Sequence, residues 1–163
     1  TDTGYFRAYG TDPYGSYEYS GTYYDSGGLF FPVMARDRRF PPKEVVVGVK
    51  ANGAQLAIPK GELHAKAVAN MQLRGLPLAA FYDPGLDIVR VYVRRASATV
   101  PSFRSEGGQI VDEATGAPWT PDGRCTQGKL AGTQLRRLAA YDVMWFAWYA
   151  FYPRTEVSKT SKT

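Results

Sequence analysis

Hydrophobic positions follow no regular period over residues 1–28 and become organised only from Leu29-Phe30-Phe31-Pro32-Val33 onward. Over residues 45–58 two β-prone runs flank Asn52-Gly53. Both central residues of a type I′ turn need positive φ, which Asn and Gly tolerate best, so the pattern predicts a hairpin. Residues 59–67 suit one or two helical turns. Residues 68–73 and 77–82 bracket Arg74-Gly75 and predict a second hairpin. Residues 87–95 alternate: Val89, Val91 and Val93 share one face, and Arg90, Tyr92 and Arg94 share the other, which predicts a strand with one dry face. Short strands are predicted at residues 99–103, 109–112, 117–120 and 132–138, separated by Glu106-Gly107-Gly108, Thr115-Gly116 and Pro121-Asp122-Gly123. A helical stripe enters only at residues 141–152, where Tyr141, Trp145, Trp148, Tyr149 and Tyr152 stand near three-and-four spacing before Pro153.

Turn chemistry this frequent, with so little helical period, predicts a β-rich α+β fold. The expected architecture is an antiparallel sheet or partly closed barrel, with one short helix after the first hairpin and one aromatic helix near the C-terminus. The helix is expected to cover a sheet face with its rings. The organisation expected is a Tyr/Gly-rich extended arm over 1–28, a single globular domain over 29–157 and a flexible tail over 158–163.

Composition narrows the function classes. At 163 residues with 44% hydrophobic and 21% charged positions, the chain is too apolar for disorder and sized for one domain. A single cysteine excludes an internal disulfide framework. The longest apolar stretch, residues 143–152, falls short of the roughly 20 residues that a membrane-spanning helix needs. The net charge of +5 invites an anionic partner, and Arg36-Asp37-Arg38-Arg39, Arg94-Arg95 and Arg136-Arg137 are basic groups. They are scattered and carry no nucleic-acid motif, whereas attraction to an anionic envelope polymer requires no motif. Gly27-Gly28 and Gly107-Gly108 lack the context of a phosphate loop.

The densest feature is the arm, which holds seven of the twelve tyrosines. Tyr14, Tyr17, Tyr19, Tyr23 and Tyr24 are binding candidates, since a tyrosine ring supplies contact area with few rotors to freeze. Such rings pack on their own domain, on a second subunit or on a sugar. His64 is the only histidine and reads first as a hydrogen-bonded structural residue, because the sequence positions no partner beside it. A dyad of His64 with Cys125 needs a proximity that spacing does not show. One Cys and one His do not complete a zinc site. Asp83, Asp87, Asp112 and Glu113 offer oxygen ligands for calcium without its loop grammar. No cofactor is indicated.

Taken together, several segments resemble the bacterial and archaeal secreted domains of domain-of-unknown-function family 3179. They are Asp12-Pro13-Tyr14-Gly15-Ser16-Tyr17, Phe31-Pro32-Val33, Arg36-Asp37-Arg38-Arg39, Pro42-Lys43-Glu44, His64 with Val68-Ala69-Asn70, Gly75-Leu76-Pro77-Leu78, Tyr82-Asp83-Pro84, Arg94-Arg95, the run 112–119, Gly128-Lys129-Leu130-Ala131-Gly132, Trp145-Phe146-Ala147-Trp148 and Pro153-Arg154-Thr155-Glu156-Val157. The resemblance covers nearly the whole chain. It implies a periplasmic, cell-surface or secreted location. One branch of the family resembles Tyr-Cys-Pro-Leu-Cys where this chain reads Tyr82-Asp83-Pro84-Gly85-Leu86, so both thiols are absent here and any thiol chemistry of that branch does not carry over. In longer relatives the C-terminal motif runs into a segment like residues 2–7, which suggests a module of a longer protein or a subunit whose arm completes a neighbour.

The expected function is therefore a non-enzymatic structural or binding module of the cell envelope or exterior, self-associating through its arm or contacting an anionic polymer or sugar. The alternative, implied by the thiol branch, is a redox- or metal-linked domain working through His64, Asp83 and Cys125.

Overall fold

The computed structural model describes residues 37–158. The arm over 1–28, its tyrosines and the tail beyond residue 158 lie outside the described residues. The elements run β1 (Val45–Ala51), β2 (Ala54–Pro59), α1 (Lys60–Lys66), β3 (Val68–Leu73), β4 (Leu76–Asp83), β5 (Ile88–Val93), β6 (Phe103–Glu106), β7 (Gln109–Asp112), β8 (Pro118–Trp119), β9 (Arg136–Leu138), β10 (Ala140–Met144), α2 (Trp145–Phe151) and β11 (Glu156–Val157).

Both expected hairpins form. Asn52 and Gly53 take φ of 51° and 69°, and Arg74 and Gly75 take 45° and 78°, the double positive φ that a two-residue turn of this type needs. The strands build three sheets, ordered β10-β1-β2-β11, β3-β4-β5-β9 and β6-β7-β8. None closes into a barrel, so the sheet alternative is the one that stands. All pairings are antiparallel except β11 on β2, which is parallel.

Side-chain alternation stacks these sheets in layers. Val47 and Val49 of β1, with Leu56 and Ile58 of β2, meet Leu78 and Ala80 of β4 and Val89, Val91 and Val93 of β5 in an aliphatic core closed at one end by Leu63 of α1. The opposite face of the first sheet, Val46 and Ala57, lies under Trp145 and Trp148 of α2. The opposite face of the second sheet, Ala79, Phe81 and Tyr92, lies under Phe103, Ile110 and Trp119 of the third sheet. The order is thus helix, sheet, sheet, sheet, and each of the two central sheets is buried on both faces.

Two expectations need correction. The second face of β5 is not open: Tyr92 is only 1% exposed, because the third sheet covers it and its hydroxyl donates to the Pro121 carbonyl at 3.0 Å. Burial of that phenol pushes its pKa up to about 12. The aromatic stripe at 141–152 is only half helix. Residues 140–144 pair with β1, Val45 opposite Met144 and Val49 opposite Ala140, and the helix begins at Trp145, so Tyr141 is an exposed strand residue. The ladder to β1 satisfies backbone groups that a longer helix would take from a sheet edge. The expected strand at 99–103 is displaced to Phe103–Glu106, and the one at 132–138 shortens to Arg136–Leu138.

Several of the described residues that carry the resemblance have visible structural work. Asn70 clamps β6, donating to the Phe103 carbonyl at 2.6 Å and accepting its N–H at 2.9 Å. Arg39 donates to the Thr155 carbonyl at 2.9 Å and lies 4.9 Å from the Trp145 ring centroid. The Asp112 carboxylate accepts the N–H groups of Ala114 and Thr115 and shapes the turn that follows β7. Trp148 donates its indole N–H to the Thr155 hydroxyl at 2.9 Å.

Candidate functional site

One group of polar side chains meets at the edge of a cleft. The chain leaves β2 at Pro59, turns directly into α1, and so brings Lys60 and His64, one turn apart, to the end of the second sheet where β4 passes into β5. Ala67 ends α1 with φ of 60°, its N–H donating to the Leu63 carbonyl, and its own carbonyl accepts the Tyr82 N–H at 2.8 Å. That bond fixes α1 against β4 beside the β4–β5 turn. The turn itself is set by Asp83, whose carboxylate accepts the Gly85 N–H at 3.0 Å and Arg90 Nη1 at 2.8 Å. It closes with Asp87 at φ of 51°, a left-handed geometry that Asp tolerates better than most residues.

Asp87 is the hub. Its Oδ1 accepts the Tyr82 hydroxyl at 3.1 Å and faces His64 Nε2 at 3.1 Å. Its Oδ2 and its backbone carbonyl accept Lys60 Nζ at 3.2 and 2.7 Å, and the third Lys60 bond goes to Asp142 Oδ2 of β10 at 2.7 Å. An ammonium has three protons to give, so that of Lys60 is fully committed. Its side chain is 11% exposed. Burial alone would pull its pKa down; the hydrogen bonds to Asp142 and Asp87 outweigh that and hold it above the ordinary lysine value. The Lys60 bond, then the Tyr82 bond, hold the Asp87 carboxyl below the ordinary value. Desolvation, then the bond to Asp87, raise Tyr82. The His64 ring lies on the Tyr82 ring with centroids 4.6 Å apart.

Asp87 Oδ1 thus stands beside Nε2 of His64, and Nδ1, the other ring nitrogen, has no hydrogen-bond partner among the described residues. The ring is 46% exposed. Beside it opens a cleft of about 520 Å³ lined by Lys60, Gly61, His64 and Asp87 on one side and Pro41, Lys43, Glu44 and Val45 on the other.

Of the residues singled out from sequence, the structure brings His64 to this cleft and Asp83 to the turn that supports it, where the Arg90 bond holds its carboxyl below the ordinary value. Cys125 is elsewhere. It is 1% exposed in the core beneath the third sheet, with its thiol donating to the Gln127 carbonyl at 3.1 Å. Among the described residues, no three of His, Cys, Asp and Glu gather as a metal-holding group, and no helix is long and apolar enough to cross a membrane. Sequence reasoning missed Lys60, Tyr82 and Asp142 altogether and met Asp87 only as an oxygen ligand. The available signal was Lys60 itself, a charge set directly after the apolar run of β2.

The family model described as Protein of unknown function (DUF3179) matches residues 1–155. No curated protein and no solved structure matches the chain. A match over that share of the sequence shows that the chain belongs to the DUF3179 family.

Proposed function

We propose that this DUF3179 family member is a non-enzymatic binding module of the cell envelope or exterior, and that its ligand seats in the cleft beside His64. The observation that carries this reading is the commitment of Lys60: with all three protons donated to Asp87 and Asp142, its nitrogen is a fixed part of a wall beside the cleft. A satisfied charged network in a partly desolvated setting is rigid, and a rigid polar wall beside a cleft is how binding sites fix the orientation of what they hold. The external location rests on the resemblance to secreted domains. The tyrosine-rich arm over residues 1–28 is proposed as the second contact surface, for self-association or for the same polymer. A redox reading would need Cys125, whose sulfur is enclosed in the core.

The test is cosedimentation of the purified chain with insoluble envelope polysaccharide. The expected result is saturable retention that H64Q together with E44Q abolishes while the unfolding midpoint is preserved. Equal retention of the double variant, or none by the parent chain, overturns the proposal.

A further inference from the structure

We infer that the cleft is built for a neutral, polyhydroxylated ring, a sugar, and not for an anion; this rests on the binding-module reading above and names its ligand class. The argument is an inventory of unused hydrogen-bonding capacity around the opening. Lys60, the cation at the base of the wall, has nothing left to donate. Asp87 Oδ1 accepts from Tyr82 with His64 Nε2 3.1 Å away, and its Oδ2 accepts from Lys60. Two polar groups remain. Nδ1 of His64 has no hydrogen-bond partner among the described residues. The Glu44 carboxylate accepts no side-chain or backbone hydrogen from them either, and its Oε1 faces the first turn of α1 across the opening, 3.8 Å from where a Cβ on Gly61 would stand.

An anionic group placed here would meet two carboxylates, Glu44 and Asp87, against Lys43 on the rim, since the Lys60 protons are already donated. A bare cation would meet Lys43 on the same rim and the raised Lys60 ammonium behind the wall. A hydroxyl suits both sides, because it donates to Nδ1 or to a carboxylate and accepts in turn. Pro41 and Val45, the latter 39% exposed, give the same cleft an apolar edge for the C–H face of a ring.

The fact that His64 is the only histidine makes the test direct. Its imidazole ¹⁵N and ¹H resonances need no assignment. The full chain is titrated separately with glucose, galactose, mannose, N-acetylglucosamine and inorganic phosphate. The expected result is that at least one sugar moves the His64 Nδ1 resonance saturably, that E44Q weakens that sugar at least tenfold without changing the unfolding midpoint, and that phosphate leaves His64 unmoved. Phosphate binding at His64 with no sugar response overturns the ligand class and leaves the binding-module reading standing. Sugar binding that moves other resonances but not His64 overturns the cleft as its seat. Silence from every probe overturns the inference, and polysaccharide cosedimentation then decides separately whether the module binds at all.

Discussion

The two helices of the described chain are each seven residues long, each begins directly on the last residue of a strand, and neither has a side-chain N-cap. They are held by opposite means. α2 drops Trp145 and Trp148 onto the outer face of the first sheet and satisfies its first N–H groups with the backbone, Trp145 donating to the Glu44 carbonyl at 2.8 Å and Phe146 to the Pro42 carbonyl at 2.9 Å. α1 buries one leucine and otherwise holds through Lys60, whose three bonds reach a turn and a strand far apart in sequence. Burial of rings leaves nothing for a ligand to recognise, whereas a charged network leaves polar groups at the surface in fixed positions. The contrast separates a helix that holds the fold from one that holds a site.

The largest break in that contrast is W145A. The ring is 1% exposed and lies edge-on to Phe40 at 5.2 Å, and deletion of a buried aromatic of this size costs about 3–5 kcal/mol. A fall of that size in unfolding free energy, read from urea midpoints, is expected; a fall under about 1 kcal/mol would mean that α2 is not what covers the sheet.

Next is G48A. A Cβ on Gly48 would stand 2.3 Å from Trp148 Cζ3, so the indole must shift, at a cost of about 1–3 kcal/mol. W148L in the same chain should recover part of the loss, because the two changes share one space. Strictly additive losses would show that the contact is not the cause.

These α2 effects were legible in the sequence and the site was not, for a physical reason. Aromatic spacing and turn dipeptides are local signals, so Asn52-Gly53 and Trp145 with Trp148 announced their roles. The start of α2 was misread because Val143 and Met144 fit a helical stripe equally well, and only pairing with Val45 and Val46, almost a hundred residues away, makes them strand. The cluster is more non-local still. Lys60, Asp87 and Asp142 lie on three elements, and only the stacking of the first two sheets brings them together. His64 was visible as a lone histidine, but its partner was hidden in the β4–β5 turn, where the expectation rested on Asp83. That residue proves to shape the turn, and the Asp at its far end makes the contact.

K60M sharpens the comparison from the α1 side. It removes three charge-assisted bonds and keeps the apolar stem, and it leaves Asp87 and Asp142, 63% and 42% exposed, able to hydrate. The expected loss is therefore about 1–2 kcal/mol, below that of breaking a fully buried pair. The pH profile carries its signature. Lys60 is raised in the folded chain, so its contribution is complete below the unfolded lysine value of about 10.4 and fades as pH rises through the folded one. Asp87 is lowered, so its contribution is present above about 3.9 and fades as pH falls through the folded value. K60M should shrink both declines without abolishing either: the raised Tyr92 and Tyr82 phenols keep part of the alkaline one, and Asp83 on Arg90 with Asp37 on Arg39 keeps part of the acid one. An unchanged alkaline limb would mean that another group sets it.

The smallest effect on stability is expected from the residue most exposed to the ligand. His64 has 46% of its side chain in water and adds one contact to a carboxylate that Lys60 and Tyr82 already hold, so H64Q should shift unfolding free energy by less than about 0.5 kcal/mol. Glutamine keeps a donor for Asp87 and loses the ring contact with Tyr82 together with Nδ1. If α1 is there to hold a site, H64Q abolishes sugar retention while the midpoint barely moves, the reverse of W145A, which is expected to lower stability severalfold more. A loss of 2 kcal/mol or more in H64Q, with retention intact, would place His64 beside Trp145 as a packing residue and erase the distinction between the two helices.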